Sequence, residues 1–454
     1  MADIPQDPPA DAGAPRVRSQ VRSYDPRAVW SWALYDFANS PFTTLVVTFI
    51  YATYFTQAIA PDPVRGTTLW SWGGVTTSAI LIALTSPFLG AFADRGGYRK
   101  LFLALATGLG ILGTVGLYFV LPGQVVPALA LFVVANVSFE LGIVFYNAFL
   151  PDIAPPSKIG RVSGYGWGLG YVGGLIALVV ALVTLVQPEV PWLGFSKEAG
   201  ENIRATNLLV AIWFLVFCLP IFLFVREDRS RATPGPGVVR ASIRQLYTTF
   251  HEIRRYRQIV RFLVARLVYN DALVTVFFFG GIIASTIYGF TTTEILVLGI
   301  VLNVAAGTGA FAMGFLDDKL GGKRTVSISL VGLIVGTLLA AVSPTRELFW
   351  VGAILVGIFS GPNQSASRSL MGRFVPDEKE NEFFGFFAFS GKATAFMGPF
   401  LLGLMTSLFE PFREQFHPQR AGVAIILVMF IVGLWLLQRL DEEEGVRVAD
   451  RSDW

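Results

Sequence analysis

Gly90-Ala-Phe-Ala-Asp94-Arg95-Gly-Gly97-Tyr-Arg99-Lys100 returns as Gly314-Phe-Leu-Asp-Asp318-Lys319-Leu-Gly321-Gly-Lys323-Arg324, 224 residues further along a chain of 454. Glycine, acid, base, glycine and a basic pair keep their spacing, and each copy lies between two long apolar runs. A tight polar turn repeated half a chain apart, each time where hydrocarbon gives way to water, predicts two related halves. Asp94 and Asp318 fall at helix C-termini, whose dipoles repel them, so each needs a helix N-terminus or a cation nearby. Gly90 and Gly314, one turn earlier, allow a neighbouring helix to come close enough to supply it.

The composition agrees. Hydrophobic residues make up 53% of the chain and charged residues 15%, against about 25% charged in soluble domains. The charges cluster, and the apolar intervals are about 20 residues or longer, enough for a helix to cross a bilayer. Backbone polar groups in hydrocarbon must bond within their own segment, so an all-α polytopic fold follows. Twelve spans are expected, near 28–59, 68–93, 101–121, 125–150, 161–186, 205–225, 259–288, 292–315, 325–342, 348–371, 383–408 and 422–440. They group into six-helix bundles over 28–226 and 259–440, with a disordered tail at 1–27, a linker at 227–258 and a second tail at 441–454. No apolar core precedes the first span, so no cleavable signal is expected. With the N-terminus inside, roughly 26 of the 35 cations fall on cytoplasmic loops and tails, which places both termini in the cytoplasm.

Several chemistries are disfavoured by the residue inventory. There is one cysteine, Cys218, and there are two histidines, His251 and His417; neither a thiolate metal site nor a histidine-based nucleophile is expected. No phosphate-binding Gly-x-x-x-x-Gly-Lys-Ser/Thr occurs, so the chain is not expected to hydrolyse ATP or to be an enzyme, and no cofactor or metal is called for. Gly168-Leu-Gly170-Tyr-Val-Gly173 mimics a dinucleotide fingerprint without the strand that would give it meaning. In the linker, Val239, Ile243, Leu246, Phe250 and Ile253 share a helical face among arginines, which predicts an amphipathic helix on anionic headgroups and not a nucleic-acid site.

The repeated turn looks like the loop signature of the major facilitator superfamily. Trp32-Ala-Leu-Tyr-Asp36-Phe-Ala-Asn39-Ser40-Pro41-Phe42, Leu150-Pro-Asp152-Ile-Ala-Pro, Gly160-Arg161-Val-Ser-Gly164, and Glu382-Phe-Phe-Gly385-Phe through Ser390-Gly-Lys392-Ala resemble the vacuole effluxer branch, the autophagy-related amino-acid permeases and their prokaryotic relatives. The resemblance implies two six-helix bundles, a central cavity lined by spans one, four, seven and ten, and alternating access. It also implies a small solute, an amino acid among the candidates, a prokaryotic inner membrane, and contact between spans five and eight. A monomer is the expected form.

Ionisable residues inside spans are costly unless paired or hydrated, and so mark candidate function. Asp36 and Asn39 form a polar stripe on span one. Asn270 and Asp271 on span seven follow a tyrosine, as Asp36 does, suggesting equivalent carboxylates on one cavity for a proton or a substrate amine. The alternative for each is a structural carboxylate bonded to a helix end. Glu140, in mid-span, reads either as a proton carrier or as half of a structural pair. Arg368 reads as a snorkelling cation or a cavity cation, Lys392 as a partner for a substrate carboxylate or a cavity acid, and Arg266 as an interfacial snorkelling cation. Glycine stripes at Gly166, Gly170 and Gly174, beside Gly160, Gly164 and Gly168, and at Gly299 and Gly307, predict close sliding contacts. The leading expectation is a secondary transporter. The alternatives are a proton-coupled exporter of amphipathic compounds and, from another class, a membrane sensor.

Overall fold

The computed structural model describes residues 24–227, 242–244, 247–249, 256–394, 397–412 and 418–450. The first helix, α1 (Pro26–Ile59), opens with Pro26 behind an Asp25 cap that accepts from Arg27 N at 2.9 Å. Proline suits this position because the first helical N–H has no partner to lose. Beyond Pro41 the helix widens into π-helical turns at Phe42–Phe49 and Phe55–Ile59. The first half continues with α2 (Arg65–Asp94), α3 (Arg99–Tyr118), α4 (Val125–Ile153), α5 (Ile159–Val186) and α6 (Glu198–Phe224). The second half holds α7 (Arg257–Tyr288), α8 (Thr292–Leu320), α9 (Gly322–Val342) and α10 (Arg346–Phe374). It is completed by α11, in two pieces (Glu380–Lys392 and Met397–Phe409), and α12 (Pro418–Gln438).

Ten of the helices among the described residues are long and apolar enough to cross a membrane. The other two of the twelve, α7 and α10, have 32 and 29 residues and contain the ionisable side chains Arg266, Asp271 and Arg368. Large apolar side chains point outward along the shaft, with Leu84 71% and Leu223 72% exposed. Lipid, not protein, is the partner such surfaces need.

The two halves repeat one another in their packing. Helix α3 packs on α4 and α6 as α9 packs on α10 and α12; α1 packs on α5 and α6 as α7 packs on α11 and α12. Between halves the partners are exchanged: α2 lies against α11, and α8 against α5. The apolar core of the first half, built on Trp32, Tyr35, Tyr51, Phe132, Tyr146 and Phe214, draws only on residues before 226. The core of the second half gathers Phe262, Tyr269, Leu330, Met371, Phe374 and Phe430, and takes in Val144 and Ala148 of α4.

Two expectations gain detail, and a third lies mostly outside the described residues. The tail expected at 441–454 contains a helix, α13 (Glu442–Asp450), which packs beneath α7 and α10. The amphipathic linker helix falls mostly outside the described residues, although 242–244 and 247–249 are helical. The two glycine stripes of α5 serve different neighbours. Gly164 and Gly168 abut the Ala310 and Gly307 carbonyls of α8 across the halves, whereas Gly166, Gly170 and Gly174 admit Asp36, Ser40 and Thr44 of α1 in the same half.

Candidate functional site: paired closures and a buried charge bridge

The end of the bundle that carries the repeated turns is held by acids on helix N-termini. Asp94 accepts from Asn381 N at 3.1 Å, Asn381 Nδ2 at 2.6 Å and Glu382 N at 2.8 Å, in the first turn of α11. Asp318 accepts from Gly160 N at 2.9 Å and Arg161 N at 3.2 Å in the first turn of α5, and from Arg161 Nε. Each acid thus leaves the unfavourable C-terminus of its own helix for the favourable N-terminus of a helix in the other half. The glycines explain the approach. A side chain on Gly90 would collide with the Asn381 carbonyl, and one on Gly314 would press on Gly160 O and Arg161 Cα. Gly97 has φ +64°, the left-handed turn that ends α2. The side chain of Arg95 lies outside the described residues, and Lys319 is exposed with no ion pair among them.

Two further acids close the helix starts from within each half. Glu227 accepts from Lys100 N at 3.0 Å while Lys100 Nζ donates to Val225 O at 2.8 Å. Glu442 accepts from Gly322 N at 2.8 Å and Lys323 N at 3.0 Å, while Lys323 Nζ donates to Leu440 O at 2.6 Å. Geometry therefore sets Lys323 opposite Lys100, one residue out of register with the sequence match, because α3 starts at Arg99 and α9 at Gly322. Arg99 does separate work, reaching Glu380 at 2.6 Å, Asp152 at 2.8 Å and Asp94 at 3.7 Å. In the second half the corresponding cation comes from α10: Arg373 holds the buried Asp317 at 2.9 Å, beside Ser369. Sequence reading missed Glu227, Glu442, Asp317 and Arg373. The Val-Arg-Glu and Leu-Asp-Glu endings of the sixth and twelfth spans were the available signal.

Deeper in, Arg368 is buried, 3% exposed, and its bonds all cross to the first half. Nη1 donates to Asp36 Oδ2 at 2.8 Å and Asn147 Oδ1 at 3.3 Å; Nε and Nη2 donate to Ser163 Oγ and O at 2.9 and 2.7 Å. The guanidinium is walled by Trp32, Tyr146 and Trp167, with ring centroids 4.8, 5.7 and 5.6 Å away. Such faces favour a cation, more so away from water. Gly166 leaves the space the pair occupies. Of the two readings of Arg368, snorkelling is excluded. Asn39, one turn beyond Asp36, and Trp167 each bury an N–H donor without an acceptor among the described residues.

Glu140 and Lys392 meet across the halves at 2.7 Å, 21% and 30% exposed. Glu140 and Asn147 stand two turns apart on one face of α4, so the two charge pairs stack about 10 Å apart along one wall. Asp36 and Asp271, expected as equivalent carboxylates on one cavity, have different partners, Asp36 bonding to Arg368. Asp271 accepts from Gly398 N at 2.8 Å, in the first turn of Met397–Phe409, which is the helix-end alternative. Asn270 beside it is half-buried. Arg266 is no snorkelling cation: Nη1 donates inward to Phe387 O and Ser390 Oγ, both at 2.8 Å, and the guanidinium lies 3.6 Å over the Phe387 ring. A cation with backbone and aromatic partners inside the bundle has no reason to stretch toward water.

Twelve helices in two repeated halves, closed at one end by exchanged acid caps over a buried charge bridge, define a transporter of the major facilitator type. Solved structures share this architecture at 13% identity. The proton:xylose symporter XylE, bound to 6-bromo-6-deoxy-D-glucose, gives a TM-score of 0.70 over 92% of this chain and 96% of its own. The human organic anion transporter MFSD10 gives 0.72 over 91% and 100%. The family model described as "Vacuole effluxer Atg22 like" matches residues 75–450, and the chain belongs to that family. Similar proteins include the uncharacterized MFS-type transporter YxiO of Bacillus subtilis, 28% identical over 93% of this chain and 97% of YxiO. Autophagy-related protein 22 of Saccharomyces cerevisiae is 24% identical over 75% and 71%. Autophagy-related protein 22-1 of Aspergillus fumigatus is 24% identical over 64% of this chain and 49% of its own length.

Proposed function

We propose that this transporter carries a small zwitterionic solute, an amino acid by kinship with the vacuole effluxers, outward across a prokaryotic inner membrane. The turn end faces the cytoplasm, with both chain termini, on the lysine and arginine asymmetry. The observation that carries the reading is the Asp36–Arg368 bridge. It joins the halves, is buried behind the two caps, and is made of groups that a polar solute or a proton can compete for. Hydrogen bonds between halves among the described residues lie from mid-bundle to the turn end, the geometry of a state closed to the cytoplasm. Breaking the caps of Asp94 and Asp318 would free that end, and the central charges would then re-pair or hydrate. Asp36 and Glu140 are the groups for a coupled proton, and Asn39 and Trp167 the idle donors for solute oxygens.

Counterflow into liposomes of a panel of labelled amino acids, with and without an imposed pH gradient, tests the reading. Transport that requires Asp36 and responds to the gradient supports a proton-coupled amino-acid carrier. Movement of lipophilic cations with every amino acid ignored would replace the substrate class with amphipathic compounds.

A further inference from the structure

Three cations and three carboxylates lie in the middle of the bundle, but Asp271 is bonded to a helix end, which leaves one cation without a directly bonded acid. Arg266 is nine residues into α7, Lys392 twelve into α11, and Glu140 thirteen from the end of α4. All three therefore lie about 13–20 Å from the turn end, well inside hydrocarbon about 30 Å thick. Lys392 and Glu140 neutralise one another. Arg266 is left over: no carboxylate among the described residues lies within ion-pair distance of it. Its Nη1 is spent on neutral acceptors, Phe387 O and Ser390 Oγ. Nε and Nη2, the edge that could grip a carboxylate with two parallel bonds, have no acceptor among the described residues. Gly391 lets the guanidinium lie close against α11, since a side chain there would meet Nη1 and Nη2 at 3.1 and 3.4 Å.

Arg368 offers a contrast. It has its carboxylate, three further acceptors and an aromatic enclosure, so an incoming anion would have to displace Asp36. A cation held inside a membrane protein without a directly bonded acid invites a counter-ion, and no carboxylate among the described residues reaches this one.

We propose that Arg266 is the anion subsite of the transport path and takes the carboxylate of a small carboxylate-bearing solute. The Glu140–Lys392 pair stands beside it to receive an ammonium group. The assignment rests on the reading above that the centre of the bundle is the path, and it deepens that reading by naming the chemical group recognised and the residue that recognises it.

The test uses three probes on one carbon skeleton: leucine, 4-methylpentanoate, which lacks the ammonium, and 3-methylbutylamine, which lacks the carboxylate. Equilibrium binding is measured on the purified full chain in lipid nanodiscs, for wild type, Arg266→Gln, Arg266→Lys and Lys392→Gln. The expected result is that leucine and 4-methylpentanoate bind wild type and lose about tenfold or more in Arg266→Gln, with partial recovery in Arg266→Lys, while the amine ignores residue 266. Melting temperatures confirm that each variant is folded; if Arg266→Gln is not, the ratio of acid to amine binding in Arg266→Lys carries the comparison. Unchanged acid binding in Arg266→Gln, or a loss that follows Lys392 alone, overturns the assignment. So does a wild type that binds neither acid-bearing probe, even if counterflow of the amine upholds transport. Acid binding that depends on Arg266, with no leucine counterflow, upholds the subsite and removes the amino-acid reading.

Discussion

Removing the Asp36 carboxylate should open the turn end. In this structure Arg368 is 3% and Asp36 13% exposed, and Arg368 takes every one of its acceptors from the opposite half. Asp36→Ala leaves that guanidinium buried without its counter-ion, a loss of about 3–5 kcal/mol for a buried pair broken on one side. Asn147 and Ser163 still serve the guanidinium, and Asp36 is not fully enclosed, so the lower figure is the better guide. The penalty falls mainly on the closed state, because separating the halves lets Arg368 hydrate. About 3 kcal/mol changes the ratio of closed to open by roughly a hundredfold. Asp36→Asn keeps an oxygen in place and should shift the ratio less, by about 1.5–3 kcal/mol for the lost charge. Cys218 is the single native cysteine, so Cys218→Ala gives a clean background for spin labels on the exposed Ser157 and Arg324, one in each half. The expected distance distribution moves from one short population in the parent to a longer one in Asp36→Ala, with Asp36→Asn between. A distribution for Asp36→Ala that overlays the parent would refute the idea that this bridge holds the halves together.

Gly90→Val should abolish counterflow while the protein still reaches the membrane, since a side chain there meets the Asn381 backbone and α2 cannot close on α11; undiminished counterflow would contradict it. Asp94→Asn and Asp318→Asn should each cost the closed state about 0.5–2 kcal/mol, the worth of a helix cap, and the double variant roughly the sum, read from the same spin labels. Glu442→Gln and Glu227→Gln act within a half, so they should lower the melting temperature, by about 1–2 kcal/mol of lost charge-assisted bonding, and leave the label distances unchanged. A shift in distance without a change in melting would reverse that assignment.

Much of the closure was legible because it is local chemistry repeated. An acid at a helix C-terminus, one turn after a glycine, demands a foreign helix N-terminus, and Asp94 and Asp318 both find one. The register slip that sets Lys100 opposite Lys323 was not legible, because a sequence match counts residues while the hydrogen bonds count from the helix start. The caps from Glu227 and Glu442 were missed for a similar reason: each lies more than a hundred residues from the amide it receives. At the centre, the residue types were singled out but their partners were not. Asp36 and Arg368 are 332 residues apart, and nothing in the spacing of either says which half will face it.

The amino-acid sequence by itself determined that the chain spans a membrane, that it does so in two related halves, and where the hinge-like turns fall. Hydropathy, charge placement and a repeated motif are properties of short segments, and the bilayer imposes them one helix at a time. Only the tertiary structure decided which charges neutralise one another: Asp36 with Arg368, Glu140 with Lys392, Asp271 with a helix end, and Arg266 with no acid among the described residues. Those pairings follow from the way α1, α4, α7, α10 and α11 converge, and the energy of a charge in hydrocarbon depends on its nearest neighbours in space, which sequence order does not set.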